Sequence, residues 1–120
     1  MAELLVDTDV CVDHLVGGRR LPRRAGRLGY SVITRAELLA GANDDDEPNV
    51  RRLLAGMDEI PVDRRVGDRA GLLRRQVPRL RMPDALIAAT ALVHSLTLHT
   101  NNARDFKRVP GLRLRQSGYR

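Results

Sequence analysis

The run Met82-Pro83-Asp84-Ala85-Leu86-Ile87-Ala88-Ala89-Thr90-Ala91-Leu92-Val93 decides the fold. Nearly every position after Asp84 is small or apolar, and a helix that leaves no face for water is a buried one. Its length, roughly 20 Å, is close to the thickness of a small domain. The alanines permit close approach to a sheet. One charge, Asp84, stands where the helix begins. Two readings are open at this point. Either Asp84 caps the helix and favours its dipole, or a rigid buried helix aims one carboxylate at a site.

Outward from that helix, short apolar runs alternate with helical patterns. Leu4-Leu5-Val6 reads as a buried strand, followed by a turn at Asp7-Thr8-Asp9 and a helix that stops at Gly17-Gly18. A basic segment from Arg19 to Arg27 suggests a short helix begun at Pro22. Tyr30-Ser31-Val32-Ile33 reads as a second strand, and Thr34 to Glu37 as a capping box that opens a helix ending at Gly41. Pro48 suits a first helical position. Glu59-Ile60-Pro61-Val62 is a weak edge strand, and Asp63 caps the helix that precedes the buried one. Leu96 to Thr100 is a further strand, and Leu112 to Arg115 an alternating edge strand after the Pro110-Gly111 turn. The expectation is an α/β class with a parallel sheet of about five strands and helices on both faces.

The 120 residues are read as one domain, 1–120, with 42% hydrophobic and 30% charged residues. No apolar run approaches the length of a membrane span. An acid stands near the start where a signal peptide needs positive charge, so a cytoplasmic protein is expected. The single Cys11 excludes an internal disulfide and reads as core filling. The net charge is +6, and Lys107 is the only lysine. Arginine forks suit phosphate or carboxylate partners, nucleic acid or an acidic protein. Pairs such as Arg51-Arg52, Arg64-Arg65 and Arg74-Arg75 equally suit solvated helix faces. Tyr30, Phe106 and Tyr119 are too few for a base-stacking platform.

Sites in parallel sheets lie beyond the carboxyl ends of the strands, where the strand order switches. Asp7 follows the first strand, Glu37 the second, and Asp105 the fourth. Asp84 reaches the same rim if its helix runs antiparallel to the strands. Each acid has a local explanation as a cap or a capping-box member. Together, however, four carboxylates at one rim repel and need a counter-charge. Divalent cations with oxygen ligands, Mg²⁺ or Mn²⁺, meet that need, and two such ions roughly 3.5–4 Å apart are the arrangement that cleaves phosphodiesters. The acidic loop Asn43 to Pro48 lacks the ligand spacing and turn glycine of a calcium loop and reads as solvated. His14, His94 and His99 show no paired metal spacing.

Leu5-Val6-Asp7-Thr8-Asp9-Val10, Ile33 to Gly41, Pro83 to Ala91 and Thr100-Asn101-Asn102-Ala103-Arg104-Asp105-Phe106, in that order, resemble PIN-domain proteins, in particular the VapC toxins of bacterial VapBC pairs. The resemblance spans the first strand to Leu112. It implies a three-layer α/β/α fold and a metal-dependent endoribonuclease acting on RNA, such as tRNA or another structured RNA. It implies Asp7, Glu37, Asp84 and Asp105 as catalytic metal ligands for one or two Mg²⁺ or Mn²⁺ ions, with Thr8, Thr100 and Asn102 in support. A homodimer, a cognate VapB-like antitoxin lying across the site and a heterotetramer or larger complex are further implications. Arg79, Arg81 and Arg104 are the candidate RNA contacts. Asp9 departs from the neutral residue many relatives carry, and it either adds charge to the site or caps the first helix.

Two rivals stand beside this reading. A haloacid-dehalogenase-type phosphatase would explain Asp7-Thr8-Asp9, but it needs a well-placed lysine, a lack that also counts against a receiver domain. A non-catalytic PIN-like scaffold would bind RNA or a partner without cutting. Alanine at Asp7 or Asp84 separates the scaffold from the enzyme.

Overall fold

Strand β1 (Ala2–Val6) is the middle of a five-stranded sheet, and its apolar run has a simple cause. It is covered on both faces, and such strands read as continuous rather than alternating hydrophobics. Leu5 points into one core with Leu98 and the alanines of the buried helix. Val6 points into the other with Val10, Cys11, Tyr30 and Leu54. The computed structural model describes residues 2–18, 21 and 27–116.

Around β1 the chain runs α1 (Thr8–Leu15), β2 (Arg27–Ser31), α2 (Val32–Gly41), α3 (Glu47–Ala55), β3 (Asp58–Ile60), α4 (Arg64–Gln76), α5 (Met82–Val93), β4 (Thr97–Thr100), α6 (Ala103–Phe106) and β5 (Leu114–Gln116). The strand order is β3-β2-β1-β4-β5, all parallel. Residues of α1, α2 and α3 pack one face, and those of α4, α5 and α6 the other. The result is the expected three-layer α/β/α arrangement. The chain steps outward from β1 to β3, crosses back through α4 and α5, and steps outward again from β4 to β5. Its direction therefore reverses between β1 and β4.

Helix α5 is the buried element that its composition predicts. Ala85 and the whole stretch Ile87 to Ala91 are buried, and zero exposure at Ala85, Ala88, Ala89 and Ala91 shows how closely the helix lies on its neighbours. Leu86, Leu92 and Val93 are half-buried, and only the tip at Met82 is open. Asp63 Oδ1 accepts from the Val66 N–H and starts α4, as expected. Gly17 (φ 83°) follows the last turn of α1, and Gly111 (φ 76°) turns the chain toward β5. Both positions require a backbone that a side chain resists.

Several sequence expectations need correction. Asp7-Thr8-Asp9 is not a turn, because α1 begins at Thr8 with Asp7 as its N-cap. Helix α2 starts at Val32, and Ser31 Oγ caps it by accepting from the Ile33 N–H. The capping box at Thr34 therefore does not form, and Glu37 lies beyond the first turn. Strand β3 ends before Pro61 and β5 starts at Leu114, each slightly displaced from its expected range. Arg51 pairs with Glu47 and Arg52 with Asn49 on a solvated face of α3. Arg74, by contrast, turns inward and donates from Nη1 to the carbonyls of Pro78 and Leu80. The helix expected at Pro22 lies outside the described residues.

Candidate active site

Because the chain reverses between β1 and β4, the carboxyl ends of those two strands mark the sheet's switch point, where sites in such sheets lie. Asp7 stands there and is 5% exposed. Its Oδ1 accepts from the Thr8 N–H at 2.8 Å, and its Oδ2 accepts from Thr100 Oγ1 at 2.8 Å. Thr100 Oγ1 in turn accepts from the Asn102 N–H at 2.9 Å. One short chain of bonds thus joins the ends of the two central strands.

Burial pushes the Asp7 carboxyl up from 3.8 to about 7, with the charges of Asp9 and, less strongly, Asp84 adding to it. Thr100 and the Thr8 amide oppose the rise without cancelling it. Asp9 is half-buried, and its Oδ1 faces the Asn101 N–H at 3.4 Å. Its own carboxyl is raised, first by burial. Of the two readings left open for Asp9, the structure selects charge at the site, since Asp7 holds the cap.

The second group hangs on α2. Thr8 Oγ1 donates to Glu37 Oε1 at 2.7 Å and lies 2.9 Å from Thr34 Oγ1. Thr34 is fully buried. Freed from capping, its hydroxyl links α1 to α2 and fixes the hydroxyl that orients Glu37.

Asp84 enters from the opposite layer. Helix α5 has Arg81 at its N-cap and no side-chain capping bond, so the capping role considered for Asp84 is not realised. Its carboxylate is raised, foremost by burial, with Asp105 and Glu37 contributing like charge. Arg81 Nε stands 3.6 Å from Asp84 Oδ2 and partly offsets that charge, so the cluster does have an arginine counter-ion. Asp105 is exposed and accepts from Asn102 Nδ2 at 2.5 Å.

The structure therefore brings Asp7, Thr8, Glu37, Asp84, Thr100, Asn102 and Asp105 to one rim and couples them by hydrogen bonds and by field. It does not draw the acids tight. Among the described residues no three Asp, Glu, His or Cys side chains stand together as a formed metal site. Thr8 holds Glu37 and Asn102 holds Asp105, while mutual repulsion acts between the rest. The donors are all hard oxygens, and a carboxylate that burial and like charge lift to about 7 is short of positive charge. By donor chemistry and by field, this set fits a hard divalent cation.

Asp9, Thr34 and Arg81 are the neighbours whose part here sequence reasoning missed or left open. The Asp-x-Asp spacing signalled the first; nothing local signalled Thr34 or the charge role of Arg81. Arg79, Arg81 and Arg104 line a cleft of about 910 Å³ that also includes Asp84 and Asp105. A separate apolar groove of about 200 Å³ lies between α1, α2 and α3 and has Glu37 in its lining. His99 is buried in β4, and His14 Nδ1 accepts from the Leu21 N–H. Cys11 is buried, and its thiol is pushed up to about 12 by that burial. The acidic loop stays exposed, with Asn43 Oδ1 accepting from the Asp46 N–H ahead of α3.

Comparison with known proteins gives consistent findings. The family model described as PIN domain matches residues 4–112. The chain is 38% identical over 113 residues to ribonuclease VapC10 of Mycobacterium tuberculosis, covering 86% of this chain and 85% of that protein. It is 27% identical over 127 residues to the tRNA(fMet)-specific endonuclease VapC of Shigella flexneri, covering 94% and 96%. A toxin-antitoxin complex from Klebsiella pneumoniae superposes with TM-score 0.80 and 34% identity over 92% of this chain and 95% of that one. The DNA-bound VapBC of Salmonella typhimurium shares the fold at TM-score 0.85 and 24% identity, covering 97% and 98%.

Proposed function

Since the chain belongs to the PIN-domain family, we propose that it is a VapC-type toxin, an endoribonuclease that hydrolyses RNA phosphodiester bonds and is silenced by a cognate antitoxin. The observation that carries this reading is the Asp7 carboxylate, buried at the sheet's switch point and facing the like charges of Asp9 and Asp84. It acts as one PIN domain, 1–120, in the cytoplasm. No helix among the described residues is long and apolar enough to cross a membrane. The tRNA(fMet)-specific activity of the Shigella relative makes tRNA, or another structured RNA, the first substrate to try.

Asp7, Glu37, Asp84 and Asp105 would hold one or two Mg²⁺ or Mn²⁺ ions. When bound, such an ion supplies a water acidic enough to attack phosphorus at neutral pH and positive charge for the departing oxygen. The protein's own residues set the stage. Thr100 and the Thr8 amide each occupy a lone pair of Asp7 and fix the plane of its carboxylate. Thr8 orients Glu37, and Asn102 orients Asp105. Arg81, close to Asp84, neutralises charge until a substrate phosphate offers itself as an alternative partner. Partners that orient ligating carboxylates matter nearly as much as the carboxylates themselves.

The antitoxin has a natural seat. Val12 and Val16, 45% and 76% exposed, line the apolar groove together with Glu37. An apolar segment with a basic end would cover these valines and reach the carboxylates. The chain is proposed to form a homodimer and, with antitoxin, a heterotetramer or larger complex.

The family match sets aside the haloacid-dehalogenase-type phosphatase. A non-catalytic scaffold is favoured by one observation, the loose spacing of the acids among the described residues. Expression in a bacterial host decides between them. The toxin should halt growth and fragment RNA, and Asp84→Asn should do neither while remaining folded. Equal growth arrest by both would contradict the nuclease and support the scaffold.

A further inference from the structure

The two flanks of the carboxylate rim differ in sign. The cleft flank, between the α4–α5 loop and α6, carries Arg79, Arg81, Arg104, Lys107 and Arg108, all exposed. Four of these, all except Arg81, make no ion pair among the described residues. Among the described residues the groove flank has no Arg or Lys in its lining, only apolar and polar residues with Glu37 and Asp46. A phosphodiester nearing the buried carboxylates meets repulsion. From the groove flank Glu37 and Asp46 add to it, whereas from the cleft flank five cations offset it.

The cleft is also held in shape. Arg74 Nη1 donates to the carbonyls of Pro78 and Leu80, which bracket Arg79, and Leu80 directly precedes Arg81. Leu80 is buried beneath them. A loop tied at both sides of its arginine presents that charge at a fixed place. Among the described residues no aromatic side chain lines the cleft, so its lining offers charge rather than base stacking. Unpaired cations spaced along an open trough match a phosphate backbone, the dominant and sequence-independent source of nucleic-acid affinity.

We propose that this cleft is the RNA-binding face, that it grips the backbone from the flank of Asp84 and Asp105, and that Lys107 and Arg108 are its outer anchors. The inference rests on the nuclease reading for the position of the scissile phosphate. Lys107 and Arg108 lie outside the carboxylate site and act through the substrate's phosphates. Arg74 is a positioning residue for the loop.

The test measures binding of a short labelled single-stranded RNA of mixed sequence at several salt concentrations. All proteins carry Asp84→Asn, and EDTA is present, so that nothing is cut. The Lys107→Gln/Arg108→Gln double variant should bind about tenfold more weakly near physiological salt, and its slope of log affinity against log salt should fall by about 1.4, the value of two single-strand phosphate contacts. The Arg51→Gln/Arg52→Gln variant, with the same charge change on exposed α3, should match its parent. Equal weakening by both doubles, or by neither, would overturn the proposal, as would a parent protein that binds no RNA. So would unchanged RNA binding with lost binding of poly-glutamate, which would assign the face to an acidic protein. The readout contains no cleavage. A chain that binds RNA through this face but never cuts it contradicts the nuclease reading alone, and a chain that cuts while both doubles bind equally contradicts this inference alone.

Discussion

Thr100 Oγ1 donates a 2.8 Å bond to Asp7 Oδ2, joining residues 93 apart in sequence at the sheet's switch point, and the pair is buried. Because the same hydroxyl accepts from the Asn102 N–H, removing it disturbs two strand ends together. Thr100→Val is expected to lower RNA cleavage by about 10- to 100-fold, as loss of a ligand-orienting partner does. It should also destabilise the fold by about 1–3 kcal/mol, through buried polar groups left unpaired. Thr100→Ser restores the hydroxyl and should recover most of both. Cleavage rates and melts of the two variants check this; equal loss in Val and Ser would assign Thr100 to packing.

The raised Asp7 carboxyl makes the metal-free protein sensitive to alkali. A carboxyl whose folded value lies near 7, against 3.8 unfolded, favours the fold in its protonated form. That contribution is complete below the unfolded value and is lost as pH rises through the folded one. His99 runs the other way, since its lowered value costs stability as pH falls. The two are separated by comparison with Asp7→Asn. In EDTA, Asp7→Asn should melt several degrees above wild type at about pH 8 and close to it at about pH 4. A difference that does not change with pH would remove Asp7 as its source.

A divalent ion that binds only the folded carboxylates stabilises the chain by mass action. Excess Mn²⁺ or Mg²⁺ should raise Tm by several degrees in wild type, and by much less in Asp7→Asn or Asp84→Asn. Thermal melts with and without EDTA read this directly. An unchanged Tm at saturating metal in wild type would contradict the ligand assignment.

Helix α5 leaves no room for larger side chains. Ala88 is fully buried among the sheet and helix contacts. Ala88→Leu should therefore cost about 1–3 kcal/mol by overpacking, a fall of about 4 °C in Tm per kcal/mol. Denaturant unfolding against wild type measures it, and a neutral result would show that α5 lies less tightly than its exposure indicates.

The legible part of this fold was the part written in composition. The Asp84 helix, the Leu4-Leu5-Val6 strand and the acids after strand ends could be read locally, and the parallel topology then carried Asp7, Glu37, Asp84 and Asp105 to one rim. The boundary at Ser31 was not legible. Val32 and Ile33 are β-branched and read as strand, but Ser31 captures the Ile33 amide and turns the chain into α2. That one shift freed Thr34 to bond Thr8. Arg74 and Arg81 were equally hidden, because their partners are set by a loop conformation and by a helix start rather than by residue type. The contrast between basic cleft and apolar groove belongs to the tertiary structure alone.

The central claim, a carboxylate-centred ribonuclease, is tested most directly by incubating purified, antitoxin-free protein with total cellular RNA. Wild type, Asp7→Ala and Asp84→Ala are compared with Mg²⁺, with Mn²⁺ and with EDTA, after melts confirm that each is folded. Discrete fragments with 5′-phosphate and 3′-hydroxyl ends, formed only by wild type with metal, are the predicted result. Cleavage that persists in folded Asp7→Ala and Asp84→Ala, or that is indifferent to EDTA, would contradict it.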